Sequence, residues 1–530
     1  AAIDRYLNGT LDDLYDPMLL KDMERAVSIL CEAVDTGKKI RIVGDYDIDG
    51  VCSTYILLQA FERLGSDVDF EIPDRIKDGY GINESIIEQA HADGVEVILT
   101  CDNGISAFHQ VELAKKYGMT VVITDHHEVP LDGEKEKIPP ADAVIDPKQA
   151  DCPYPFPEIC GAVVAYKLVQ VLYARRGVPQ MEWLDLLEFA AIATVGDVMK
   201  LQDENRILVK YGLKKMAQTK NLGLRRLAEK NNLDLGAITA YHIGFVIGPC
   251  LNAGGRLKTA KEALALLRAQ SEEEAERLAE ELKELNDTRK DMTEQGTEAA
   301  KLQVESWYQK DKVLVVFLPE CHESLAGIIA GRLREYYQKP AIVLTRGEEA
   351  VKGSGRSIDE YHMFKKLTEV SDLLLKFGGH PLAAGLSLEE KNIDEFRRRL
   401  NENAGLTEED FKAKVWIDVP MPVGYVTERL VRELSCLEPF GQGNEKPLFA
   451  EKSLRIRASR VLGRNRNVVK MTLEETDGHA IEALYFGDGT AFEEERAGRR
   501  EIDVVYYPDI NEYNGRKTLQ AVIRRYKFRG

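Results

Sequence analysis

Ile40-Arg41-Ile42-Val43-Gly44-Asp45-Tyr46-Asp47-Ile48-Asp49-Gly50 decides how the chain is read. Ile40–Val43 is a short apolar, β-branched run, the pattern of a strand buried on both faces. It gives way to a glycine-bracketed loop with three alternating aspartates, and Ser53–Leu64 follows with helical periodicity. Strand, polar loop and helix in that order open a βαβ unit.

The same event recurs downstream. Val95–Leu99 leads into Cys101-Asp102-Asn103-Gly104, and Val121–Thr124 into Asp125-His126-His127. The apolar run Ala190–Val195 leads into Gly196-Asp197, while Ala143–Ile145 adds a strand and Glu84–Ala92 a helix. This alternation predicts a mainly parallel sheet in roughly the first 210 residues. Ligands of such sheets bind beyond the carboxyl ends of the strands, so the acidic ends converge on one site. Carboxylates packed that closely repel and take up protons unless a cation intervenes. Two divalent ions accommodate such a set, and a metal pair about 3.5–4 Å apart is a recurrent device for phosphoryl cleavage. Mixed carboxylate and imidazole donors suit Mn²⁺, with Mg²⁺ the alternative. Taken singly the pieces are blander. Asp45–Asp49 also reads as a solvated turn or calcium loop, although the EF-hand's twelfth-position Glu is missing. Asp102 or Asp197 alone reads as a helix N-cap, and the two histidines as a structural pair.

Working outward, Pro153, Pro155 and Pro157 mark a rigid loop over 151–157, and 181–245 looks mostly helical. Ser271 and Glu274 form a capping box ahead of Leu278, Leu282 and Leu285. A helix over 271–306 would run about 54 Å and connect two lobes, with a bend near Gly296. A second α/β unit begins at 311, with the strand Val313–Leu318, a helix at Ser324–Tyr337 and the strand Ala341–Leu344. From 413 the pattern turns to strands: Lys414–Val419, Leu454–Val461, Val468–Leu473, Ala480–Tyr485, Ile502–Tyr507 and Lys517–Arg525. A small OB-like barrel is expected there. The fold class is thus α/β: two α/β lobes joined by a long helix, plus a C-terminal OB-like β-barrel. The expected divisions are 1–256, 257–310, 311–410 and 411–530.

Composition bounds the rest. The chain has 530 residues, a net charge of −18, 44% hydrophobic and 30% charged residues. That balance is globular and excludes a mostly disordered chain. No apolar run reaches the ~18 residues of a membrane span. The opening Ala1-Ala2-Ile3-Asp4-Arg5 lacks a signal-peptide pattern. The eight cysteines include no C-x-x-C pair, so they read as reduced core residues of a cytoplasmic protein. The acidic total disfavours a nonspecific nucleic-acid coat. Residues from 413 onward nevertheless carry a slight excess of Lys and Arg. Arg455, Arg457, Arg460, Arg464 and Arg466 could form a phosphate track there, or merely a solvated face.

These motifs resemble those of the DHH phosphoesterase superfamily. Asp45-Tyr46-Asp47-Ile48-Asp49-Gly50, Asp102-Asn103-Gly104-Ile105, Asp125-His126-His127 and Gly196-Asp197 match its four motifs in order. Gly378-Gly379-His380-Pro381-Leu382-Ala383-Ala384-Gly385 is similar to the signature of its associated second domain. Leu251-Asn252-Ala253-Gly254-Gly255-Arg256, Gly353-Ser354-Gly355-Arg356-Ser357 and Leu437-Glu438-Pro439-Phe440-Gly441-Gln442-Gly443-Asn444 narrow the likeness to its single-strand-specific 5′→3′ DNA exonucleases. The resemblance implies that Asp47, Asp49, Asp102, His126 and Asp197 ligate two Mn²⁺ or Mg²⁺ ions, with Asp102 as the bridge. It implies that Asp45 and Asp125 orient ligands such as His126, and that His127 contacts the scissile phosphate or aids proton transfer. Arg75 and Tyr80, on the loop Asp74–Gly81, would grip the strand, as would Asn252 and Arg256. Ser354, Gly355 and Arg356, in a glycine-rich turn, would hold the 5′-phosphate with His380. Two departures stand out: Val43 occupies the position of a further histidine ligand, and Cys250 that of a frequent arginine. The implied substrate is single-stranded DNA in recombination and repair. The implied partners are a single-strand-binding protein and a RecQ-type helicase, and the implied state is a monomer. The alternatives are a phosphodiesterase of short oligonucleotides or cyclic dinucleotides, which needs no barrel, and a scaffold whose metal site is lost.

Overall fold

The computed structural model describes residues 2–513 and 516–529. Its first sheet is parallel throughout, in the order Val68–Glu71, Ile40–Val43, Val97–Cys101, Thr120–Thr124, Ala143–Ile145. Ile40–Val43 and Val97–Cys101 are buried along their whole length, as the unbroken apolar runs require. Helices Ile48–Arg63, Gly161–Arg176 and Leu187–Gly196 cover one face. Val51, Leu58, Val164, Leu168 and Ile192 belong to a single core there. Each such side chain contributes about 1.5–3 kcal/mol on burial.

The connector runs unbroken over Glu272–Gln303, capped by Ser271 Oγ accepting from the Glu274 amide. Gly296 serves close packing. A Cβ there would meet Ile329 Cδ1 at 2.6 Å, so the glycine lets helix Ala326–Tyr337 of the second lobe lie against the connector. The second lobe's sheet has the order Leu374–Gly379, Ala383–Leu388, Val351–Arg356, Ala341–Arg346, Leu314–Phe317, antiparallel except for the last pair.

The C-terminal strands close into a ring. Phe449–Leu462, Val468–Glu474, Ala480–Phe486, Arg516–Arg529 and Glu501–Tyr513 pair in sequence, and Glu501–Tyr513 pairs back onto Phe449–Leu462. The strand expected at Lys414–Val419 shrinks to Val419–Pro420, which pairs with Phe449 and Ala450. Upstream of it Trp416 is 86% exposed, so that apolar stretch lacks a partner strand to support it.

The barrel is pinned to the first lobe. Arg206 is 1% exposed and donates to the carbonyls of Tyr6, Leu437 and Cys436 at 2.9, 2.7 and 3.1 Å. Its guanidinium also stacks 4.1 Å from the Tyr6 ring. Tyr6 Oη donates to Asn444 Oδ1 at 2.7 Å, and the Leu201 amide to the Gln442 carbonyl at 2.7 Å. Leu437–Asn444, one of the stretches that carry the exonuclease resemblance, is therefore a docking loop.

Candidate active site

Asp47 caps the helix Ile48–Arg63: its Oδ1 accepts from the Asp49 and Gly50 amides at 2.9 and 3.1 Å. Gly50 is obligatory, because a Cβ there would lie 2.4–2.6 Å from the Asp45 backbone. Both Asp49 oxygens accept from the first amides of another helix, Gly161 at 2.7 Å and Ala162 at 2.8 Å. That helix end favours a carboxylate. Gly161 also lets the helix touch Asp102, whose Cβ would be 2.7 Å from any added methyl. Asp102 takes a left-handed backbone, φ 61°, at the end of Val97–Cys101. Backbone strain of this kind is held at functional sites.

The structure draws these ends together. His126 Nε2 lies 3.1 Å from Asp102 Oδ1, 3.4 Å from Asp49 Oδ2 and 3.8 Å from Asp197 Oδ2. Three groups of donor atoms each fit within 4.8 Å: Asp45, Asp47 and Asp102; Asp49, His126 and Asp197; Asp102, His126 and His127. Asp102 belongs to two of them. Burial, then the charges of Asp49, Asp47 and Asp45, push its carboxyl well above the usual range. Burial and Asp47 push Asp45 up to about 8; burial and Asp49 push Asp197 up to about 8. Asp102 Oδ1 and His126 Nδ1 are buried without a hydrogen-bond partner. Like charges gathered around unsatisfied oxygen and nitrogen donors are the electrostatic counterpart of a divalent cation. The donor set fits Mn²⁺ or Mg²⁺.

Other expectations shift in detail. Asp197 ends a helix, Leu187–Gly196, so the fourth acidic end is a helix C-terminus aimed at the strand ends. Asp125 orients His127: its Oδ1 accepts from His127 Nδ1 at 2.7 Å and from the His126 amide at 2.8 Å, but touches no His126 ring nitrogen. Burial works against the His127 cation, yet the Asp125 bond and charge outweigh it and raise His127 to about 9. Asp125 itself stays below the usual range despite its burial, held there by His127. Val43 is wholly buried and packs with Ile82, Ile86 and Ile98, so nothing at that position can ligate. Cys250 is equally buried and offers no contact to a substrate.

A cavity of about 730 Å³ opens beside the cluster, lined by Tyr46, Arg75, Arg256, Lys352, Ser354 and Arg356 among others. Arg75 stacks on Tyr46, 4.8 Å from the ring centroid, rather than on Tyr80. Tyr80 turns instead to the site floor: its hydroxyl donates to the Asp102 carbonyl at 2.7 Å, and its ring edge meets His127. Arg256 is brought in by Gly255, whose missing Cβ lets the backbone pass the Tyr46 carbonyl. It donates to the Ser324 carbonyl at 3.0 Å, and burial, with Arg75 and Arg289 nearby, lowers it to about 10. Asn252 lines a smaller cavity with Arg256.

The glycine-rich turn expected at Gly353–Ser357 is a central strand through Arg356, paired on both sides. Its amides are committed to the ladder, so no backbone nest is available. Gly353 is there because a Cβ would strike Leu344 Cδ2 at 2.6 Å. Ser354 Oγ and the Arg356 guanidinium, 3.1 Å apart, present the polar surface. His380 does not join them. It lines a second cavity, about 490 Å³, with Tyr80, His126, His127 and Lys148. Sequence reasoning missed Tyr46, which sits inside the first aspartate motif, and Lys352 and Lys376, which no motif marks. On the barrel, Arg455, Arg457 and Arg460 share one strand, and Arg464 and Arg466 follow in its turn; all are exposed, but Arg457 is engaged by Glu474.

Comparison with known proteins places this geometry. The DHH family N-terminal domain matches residues 39–194, the DHHA1 domain 310–405 and the RecJ OB domain 417–525. The single-stranded-DNA-specific exonuclease RecJ of Bacillus subtilis is 38% identical over 97% of this chain, which spans 64% of that relative's length. RecJ of Haemophilus influenzae is 33% identical over 98% of this chain and 92% of its own length. The crystal structure of RecJ in complex with Mn²⁺ from Thermus thermophilus matches with a TM-score of 0.84 and 29% identity, covering 99% of this chain and 74% of that one. The same enzyme in complex with Mg²⁺ matches at 0.77 and 28%, covering 99% and 72%. No helix is long and apolar enough to cross a membrane among the described residues. A relative one-third identical along nearly its whole length, together with three domain matches along this chain, leaves one assignment: the chain belongs to the RecJ family of single-stranded-DNA-specific exonucleases.

Proposed function

We propose that the chain removes mononucleotides from the 5′ end of single-stranded DNA in a divalent-metal-dependent hydrolysis, in recombination and repair. One observation carries the reading: a buried carboxylate and histidine cluster adjoins a cavity lined by five cations and one acid. Asp47, Asp49, Asp102, His126 and Asp197 would hold two Mn²⁺ or Mg²⁺ ions, with Asp102 common to both and Asp45 close enough to Asp47 and Asp102 to share in it. When bound, the ions supply Lewis acidity at the phosphoryl group and lower the pKa of water there.

The chain's own residues do the rest. Ser354 and Arg356 bind the terminal 5′-phosphate, with Lys352 and Lys376 adding charge. Arg256 forks onto the scissile phosphate and offsets the charge that grows in the transition state. His127, kept protonated by Asp125, gives its proton to the departing 3′-oxygen. Water attacks the phosphorus opposite O3′ and loses a proton to solvent; as the new P–O bond forms the P–O3′ bond breaks, the terminal nucleotide leaves with a free 3′-hydroxyl, and the remaining strand bears a new 5′-phosphate for the next turn. His380 closes the far side of the site. The barrel carries the trailing strand by phosphate contacts without reading bases.

The activity for which the relatives are named, together with the barrel, favours this reading over cleavage of short or cyclic dinucleotides. A single-strand-binding protein and a RecQ-type helicase are the proposed partners of a monomeric enzyme in the cytoplasm. The test offers Mn²⁺-loaded protein a long 5′-labelled single strand, the same strand as duplex, and a dinucleotide. Stepwise mononucleotide release from the single strand alone is expected; cleavage of the dinucleotide alone would overturn the proposal.

A further inference from the structure

The connector helix is laced with ion pairs: Arg277 with Glu281, Lys283 and Lys290 with Asp287, Lys301 with Glu298. Arg289, half-buried on the same helix, has no carboxylate partner among the described residues. Its Nε donates to Asn286 Oδ1 at 3.0 Å. Asn286 is 1% exposed, and its Nδ2 reaches Cys250 Sγ at 3.3 Å. The guanidinium is thus aimed by a buried side-chain relay, while its remaining donors have no acceptor among the described residues.

Those donors lie at a cavity of about 100 Å³, lined by Gly196, Gly244, Gly248, Asn252, Arg256 and Arg289 among others, with no acidic side chain on its wall. It is small, open to the cleft, and roomy enough for a tetrahedral oxyanion. Two of its walls fix its place in the cleft. Gly196 precedes Asp197 of the acidic cluster, and Arg256 also lines the 730 Å³ cavity that holds Ser354 and Arg356. Burial and the neighbouring Arg332 both disfavour the Arg289 charge, a cost that an anion between them removes. Arg332, exposed on helix Ala326–Tyr337, likewise has no carboxylate partner among the described residues and would carry the positive path onward.

We propose that Arg289, aimed by Asn286, binds the phosphodiester immediately 3′ of the scissile one. The inference rests on the exonuclease reading above and adds a substrate contact to it. Terminal phosphate, scissile phosphate and next phosphate would then be read by Arg356, Arg256 and Arg289 in turn. A strand held at three successive phosphates is straightened before cleavage, so Arg289 acts as a positioning residue, felt mainly in KM.

The experiment is a chemical double-mutant cycle on the Mn²⁺-loaded full chain. It follows release of the first nucleotide from 5′-phosphorylated strands that carry a neutral methylphosphonate at the second linkage or none. In the wild type the neutral linkage raises KM about tenfold, the worth of one charge-assisted contact. Arg289→Met raises KM on the unmodified strand by a similar factor, with a smaller fall in kcat, and the neutral linkage then adds less than about twofold. Arg289→Lys recovers part of the loss. Asn286→Ala, which leaves the guanidinium in place but unaimed, shifts KM in the same direction and less. Penalties that multiply, or a wild type indifferent to the neutral linkage, would overturn the inference; the second outcome needs no variant to fold. A wild type that releases nothing from the unmodified strand would instead overturn the exonuclease reading itself.

Discussion

Two clusters in one cleft share the same electrostatic fault with opposite sign. Asp45, Asp47, Asp49, Asp102 and Asp197 crowd negative charge around His126. Arg75, Arg256, Arg289 and Arg356 crowd positive charge nearby, and Glu323 is the one acid on the wall of the large cavity that Arg75, Arg256 and Arg356 line. Along the connector, by contrast, surface charges are paired at short range. The two clusters differ in how they are held. The carboxylates sit on helix termini and strand ends, with those of Asp45, Asp47 and Asp49 held by backbone amides, whereas the guanidiniums rest on carbonyls, a ring and an amide side chain. The first arrangement is rigid and suits a metal's demand for placement. The second leaves donors spare and suits a substrate that must slide.

The largest break in this comparison is Asp102→Asn. Removing the shared carboxylate should lower activity by more than the ~10–100-fold typical of residues that only orient ligands. The same change relieves buried repulsion, so the metal-free variant should melt higher than metal-free wild type, by about 1 °C per kcal/mol gained for a chain of this length. Calorimetry on chelated samples checks it; a lower melting temperature would mean that Asp102 is already compensated within the fold.

A pH series sharpens the comparison next. Asp45 and Asp197, raised by burial and neighbouring aspartates to about 8, bind protons more tightly folded than unfolded. A carboxyl with a raised folded pKa stabilises below its unfolded value, near 4, and that contribution is lost as pH rises through about 8. Chelated protein should therefore lose stability from pH 4 to 8. Mn²⁺ should restore more of it at pH 8 than at pH 5, since the ion competes with protons. Thermal shift with and without Mn²⁺ reads both trends; equal metal shifts at the two pH values would contradict them.

The smallest effect belongs to the barrel. Arg455→Ala with Arg460→Ala should weaken long-strand binding modestly and flatten the salt dependence of log K by about 0.7 for each phosphate that is no longer neutralised. An unchanged slope in a filter-binding titration would mark that face as merely solvated.

Four strands of the first sheet were legible because apolar β-branched runs ended each time in acid or histidine; the edge strand Val68–Glu71 was not, since Asp69 and Glu71 interrupt its apolar residues. The five principal ligand candidates came from the same pattern. What escaped it was long-range. Nothing local says that the amides of Gly161 and Ala162 seat Asp49, or that Arg75 stacks on Tyr46. Gly353-Ser354-Gly355 has the composition of a turn, yet Leu344 crowds Gly353 in the middle of a sheet. His380 follows glycines whose strand carries it to the opposite cavity. Lys414–Val419 had strand-forming residues and lacked a neighbour to pair with, which sequence periodicity does not report.

Arg206 joins two stretches of chain far apart in sequence. Tyr6 near the start and Leu437 just ahead of the barrel, 431 positions apart, meet on one guanidinium and hydrogen-bond each other. The helix Ala2–Asn8 therefore behaves as a keystone between two modules: a change at Tyr6 acts on how the barrel is seated against the first lobe, although it lies remote from the acidic cluster.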